Sequence, residues 1–84
     1  MDDIAGWRKR IDEIDEKLLE LLNKRAEYAM EIGRIKREKS IAVYDSDREK
    51  SILARMTAQN RGPLPNDAVK RLFEYLIIES RNLE

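Results

Sequence analysis

The first two-fifths of the chain repeats one pattern. Apolar or aromatic residues stand at Ile4, Trp7, Ile11, Ile14, Leu18 and Leu21, and again at Tyr28, Ile32 and Ile35. Steps of three and four alternate, which is the seam of a heptad and the mark of an amphipathic helix. Asp2 or Asp3 can cap its start, and no Pro occurs before Pro63. The pattern fades near Lys39-Ser40, so it predicts one helix over about 3–39. Residues 40–45 read as a loop. Ser46-Asp47-Arg48-Glu49 fits a capping box, with Asp45 as a rival N-cap. A second helix follows over about 47–59, with Ile52, Leu53 and Met56 inward. Asn60-Arg61-Gly62-Pro63 ends it, with Gly in a left-handed C′ position and Pro blocking continuation. The third helix, over about 66–84, turns Val69, Leu72, Phe73, Leu76 and Ile77 inward, then Ser80, Leu83 and Glu84. The expectation is an all-α chain of three helices, one long and two shorter, forming a single domain over 1–84.

The long helix sets a problem of scale. At 1.5 Å per residue it is on the order of 55 Å long. A compact chain of this length has a radius of gyration of only about 12 Å. The helix must project from its own domain with its apolar stripe uncovered. A second copy covering that stripe is the economical solution, so periodicity and length point to an obligate helical homodimer.

Composition narrows the chemistry. The 84 residues contain 17 Lys and Arg against 17 Asp and Glu, and 42% of the chain is hydrophobic. A net charge of zero argues against a nucleic-acid partner, because phosphate binding needs a basic excess on some face. The absence of Cys and His excludes thiol nucleophiles, thiolate metal sites and Ser–His or Cys–His catalysis. The longest apolar run, Tyr75-Leu76-Ile77-Ile78, is too short to cross a bilayer. Met1-Asp2-Asp3 opens acidic with no apolar run behind it, so the expectation is a cytoplasmic protein without a signal peptide.

The informative residues are polar ones where the pattern reserves core. The heptad count from Leu18 and Leu21 puts Arg25 on the seam. A charge there is either a buried ion pair, a register-setting residue or a ligand-binding group. Lys36 lies close to three turns further on, on the same face and roughly 16 Å along the axis. It also belongs to a basic cluster with Arg34, Arg37 and Lys39, which complements the helix dipole. Arg8 sits about 25 Å from Arg25. It reaches that site only from the other chain of an antiparallel dimer; alone, it pairs with Asp12 on the surface. On the third helix Leu72, Leu76, Ser80 and Glu84 succeed one another at i+4, two apolar residues and then two polar ones. A solvated, fraying helix end gives the same pattern.

Taken together these breaks resemble the all-helical chorismate mutases. Arg8-Lys9-Arg10-Ile11-Asp12-Glu13-Ile14-Asp15 is similar to that family's opening helix. Leu21-Leu22-Asn23-Lys24-Arg25 and Ile32-Gly33-Arg34-Ile35-Lys36 resemble its central Arg and Lys segment. Tyr44-Asp45-Ser46-Asp47-Arg48-Glu49 looks like its loop-to-helix motif, and Arg71-Leu72-Phe73 through Ser80 to Glu84 its closing helix. Asn60-Arg61-Gly62-Pro63-Leu64 and Leu83-Glu84 are most similar to the mutase domain that opens bifunctional chorismate mutase–prephenate dehydratases.

The resemblance implies an intertwined dimer with two active sites. It implies an intramolecular Claisen rearrangement of chorismate to prephenate in aromatic amino-acid biosynthesis, without a cofactor or metal. It makes Arg25, and Arg8 from the partner, the carboxylate clamps, and Ser80 a further carboxylate contact. Lys36 and Glu84 fall at the ether oxygen, Glu49 and the segment around Asp45 at the ring hydroxyl, and Arg48 in support. An ionised Glu84 would repel the charge that develops on that oxygen, so this residue is expected to work protonated. Two rivals remain at this level: an isochorismate–pyruvate lyase on the same fold, and a non-catalytic helical dimerisation module.

Overall fold

The computed structural model describes residues 3–84. Three helices follow in order: α1 (Ile4–Lys39), α2 (Ser46–Gln59) and α3 (Asn66–Leu83). Among the described residues there is no strand. Asp3 caps α1, its side chain accepting from the Gly6 backbone N–H at 2.7 Å. The alternative cap, Asp2, lies outside the described residues. α1 ends at Ser40, which takes a left-handed conformation (φ 55°) while the next N–H, of Ile41, returns to the Lys36 carbonyl at 2.8 Å.

The start of α2 corrects the capping-box reading. The N-cap is Asp45, whose Oδ1 accepts from the Arg48 N–H at 3.0 Å, and Ser46 is the first helical residue. A carboxylate one residue earlier reaches the same free N–H groups, so Ser46 is drawn into the first turn. The end of α2 also differs. Asn60 closes the helix in an extended conformation, and the left-handed residue is Gly62 (φ 74°), beyond C′. Asn60 holds this turn together, accepting from the Gly62 N–H and donating to Leu64 O and Asn66 Oδ1.

α3 packs on both other helices, while α1 and α2 stand apart from one another. Ala29, Ile52, Val69 and Ile77 form the buried core. A fully buried Ile or Val contributes roughly 1.5–3 kcal/mol, and so small a core is marginal for a chain of this length. The N-terminal half of α1 runs clear of the other helices, and the molecule measures 55 × 24 × 15 Å with a radius of gyration of 16.1 Å. Its stripe is open to solvent: Ile14 is 62% exposed and Leu21 64%. No helix among the described residues is long and apolar enough to cross a membrane.

Candidate active site

α1, α2, α3 and the loop before α2 enclose a cavity of about 460 Å³, within the range of small-molecule sites. Each wall supplies a charge. α1 contributes Arg25 and Lys36, the loop and first turn of α2 contribute Asp45, Arg48 and Glu49, and α3 contributes Ser80, Arg81 and Glu84. Apolar surface from Ala29, Ile32, Val43, Ile52 and Ile77 fills the gaps.

These side chains are held by one another. Lys36 Nζ donates to Glu84 Oε1 at 2.7 Å and to the Val43 carbonyl at 2.9 Å. Both partners of that pair are largely buried, with side chains 18% and 15% exposed. The Arg25 guanidinium donates to the Ser80 hydroxyl. Among the described residues Arg25 forms no ion pair, and neither does Arg48. The buried-ion-pair alternative for Arg25 is therefore not realised within the described chain.

The last turn of α3 lies directly on Gly33 of α1. A Cβ at Gly33 would come within 2.7 Å of the Glu84 Cα and carbonyl oxygen, so only glycine permits this approach. Arg37 secures the same turn, donating to the Glu84 carbonyl at 2.9 Å.

The structure thus gathers Arg25, Lys36, Asp45, Arg48, Glu49, Ser80 and Glu84 around one cavity. Arg8 is not among them: it is exposed on the free half of α1 and forms no ion pair with Asp12. The Asp45 carboxylate is engaged as a helix cap. One charged pocket residue escaped the sequence reading. Arg81 donates to Glu49 Oε1 at 3.1 Å, and its guanidinium lies 4.9 Å from the centroid of the Tyr44 ring. The signal was a second i+4 row, Val69, Phe73, Ile77 and then Arg81, in which apolar positions again end in a charge.

Fold and pocket define a small all-helical protein with a charge-lined cavity sized for one compact molecule. The model of the family described as chorismate mutase type II matches residues 7–84, and the chain belongs to that family. Over 77 residues the chain is 43% identical to the bifunctional chorismate mutase/prephenate dehydratase of Neisseria gonorrhoeae, covering 92% of this chain and 21% of that protein. Identity to the same bifunctional protein of Pseudomonas aeruginosa is 36% over 88 residues, with 99% of this chain and 24% of the relative covered. The chain therefore spans only a fifth to a quarter of these relatives. A solved chorismate mutase from Thermus thermophilus (form I) superposes with a TM-score of 0.89 at 36% identity, covering 92% of this chain and 96% of that one.

Proposed function

We propose that the chain is a chorismate mutase, converting chorismate to prephenate by an intramolecular rearrangement. One observation carries this reading: a half-buried Arg25 on the helix seam whose partner is the neutral Ser80 hydroxyl, with no carboxylate from the described residues to neutralise it. A guanidinium left uncompensated in a cavity wall is suited to a carboxylate ligand, which it grips with two parallel N–H groups. Chorismate carries two carboxylates.

The rearrangement breaks the ether C–O bond and forms a C–C bond in one cyclic electron shift, with no proton or group transferred to the protein. The chain then has two tasks. The first is to hold the substrate folded with the bonding carbons adjacent, by clamping the carboxylates through Arg25, Ser80 and Arg8 of a second copy. The second is to stabilise the charge that develops on the ether oxygen. Lys36 and Glu84 converge to 2.7 Å, so both reach a single point in the cavity wall. A fixed cation there binds the transition state more tightly than the substrate. Glu49 and the segment at Asp45 take the ring hydroxyl, with Arg48 in support.

The second copy is part of the proposal. It is an intertwined homodimer in which the free half of α1, with its open stripe, crosses onto the partner and delivers Arg8 to the partner's cavity. The reading also carries a cytoplasmic location and no nucleic-acid or membrane partner. The deciding experiment follows chorismate loss by ultraviolet absorbance with chromatographic identification of the product. Prephenate is expected. Unchanged chorismate overturns the reading, and pyruvate release from isochorismate without prephenate formation favours the lyase.

A further inference from the structure

We propose that Arg81 is a positioning residue that fixes Glu49 for the ring hydroxyl and so makes the pocket selective for substrates carrying that group; this rests on the mutase reading above. Arg81 joins three elements at one corner of the cavity. From α3 it donates to Glu49 of α2 at 3.1 Å, and its guanidinium carbon lies 4.9 Å from the centroid of the Tyr44 ring in the loop before α2. Both Arg81 and Glu49 line the cavity.

The geometry divides the labour of the Glu49 carboxylate. Arg81 occupies Oε1, and among the described residues no donor occupies Oε2. An ionised carboxylate accepts at both oxygens, so the second remains an acceptor for a ligand hydroxyl. Without Arg81, Glu49 would be a flexible side chain that must be ordered each time a substrate binds, and that ordering weakens binding. Arginine suits the task better than lysine: its delocalised guanidinium sits over the Tyr44 ring while one of its nitrogens reaches Glu49.

A purely structural bridge fits poorly. The pair is partly exposed, with side chains 37% and 22% accessible, and such pairs add little stability. Arg81 Nε is buried without a hydrogen-bond partner, a cost that a stabilising bridge would shed.

The test compares wild type, Arg81→Met, Arg81→Lys, Glu49→Ala and the Arg81→Met/Glu49→Ala double variant, each checked for helicity by circular dichroism. The hydroxyl contact exists in ground and transition states alike, so Arg81→Met is expected to raise KM for chorismate about tenfold while kcat changes by less than about threefold. Arg81→Lys should fall between wild type and Arg81→Met. In the Glu49→Ala background the Arg81→Met change should have almost no further effect, because its route to the substrate is already cut. Inhibition by a chorismate analogue lacking the ring hydroxyl should be equal for wild type and Arg81→Met. Additive losses in the double variant, equal weakening toward both molecules, or an unchanged KM each overturn the role of Arg81. If Arg81→Met does not fold, Arg81→Lys carries the same comparison. A wild type that leaves chorismate unchanged overturns the mutase reading itself, whereas an active wild type matched by Arg81→Met removes only the present inference.

Discussion

Lys36 touches Glu84 and the Val43 carbonyl, and each contact bears on how its loss would show in kinetics. On the proposed mechanism, removing the ammonium takes away a charge needed most when the ether bond is breaking. Lys36→Ala is therefore expected to lower kcat by about 10²–10³-fold with a smaller effect on KM. Arg25→Ala should damage both if Arg25 is the proposed carboxylate clamp, which would act on the bound substrate as well as the transition state; steady-state kinetics on folded variants separates the two. Glu84 allows a sharper test. If it donates a hydrogen bond to the ether oxygen, Glu84→Gln, which always carries a donor, keeps turnover that Glu84→Ala loses. Equal losses in the two variants would remove Glu84 from that role. Arg25 and Lys36 were legible in the sequence because helical periodicity fixes direction, and three turns of α1 put both on one face. The Val43 carbonyl was not, since a backbone contact leaves no trace in residue type. Arg81 was less legible, because its row through Val69, Phe73 and Ile77 reads as plain core until its last member.

At the scale of elements, the approach of α3 to α1 turns on Gly33. Alanine is the better helix former by about 1 kcal/mol, so Gly33→Ala should preserve or raise the helicity of α1. Its methyl group would nevertheless displace the Glu84 backbone, which lies within 2.7 Å of the added atom. Turnover is expected to fall by about tenfold to a hundredfold, because small misplacements of reacting groups are costly. Circular dichroism and kinetics on the same sample check this; retained activity would show that the turn moves without consequence. Nothing in the sequence marks Gly33 as a point of helix contact, since close approach is a tertiary fact. The three helices themselves were readable to within a residue or two from periodicity and stop signals. Their caps were less so: Asp45 and Ser46 are both good N-caps, and only geometry decides between neighbours.

At the scale of the molecule, a radius of gyration of 16.1 Å exceeds the roughly 12 Å of a compact chain this long. That excess was foreseeable because one helix is longer than the whole domain should be. Sedimentation is expected to give twice the 9.9 kDa chain mass at micromolar concentration. An active monomer would overturn the shared site. Mixing Arg8→Ala with Arg25→Ala chains tests where Arg8 acts. A mixed dimer has one site with both arginines and one with neither, so random exchange should restore about a quarter of wild-type activity. No recovery after proven exchange would deny Arg8 its place across the interface. The case for a second copy rests on an uncovered stripe, and one sequence does not state how two copies would cross.

The last turn of α3 carries Ser80, Arg81 and Glu84, and it is tied to the rest of the chain through Arg25, Glu49, Lys36 and Arg37. A helix end usually opens locally far more often than the protein unfolds. Here, Arg37 apart, the same side chains that restrain the turn also line the cavity, so restraint and recognition share most of one set of contacts. Any ligand that engages Ser80 and Glu84 must compete with those ties or add to them. If it adds, amide hydrogen exchange in residues 80–84 slows on binding while the middle of α1 is unchanged. Part of the binding free energy is then spent on quieting a helix end, and the exchange rate of that single turn becomes a measure of occupancy.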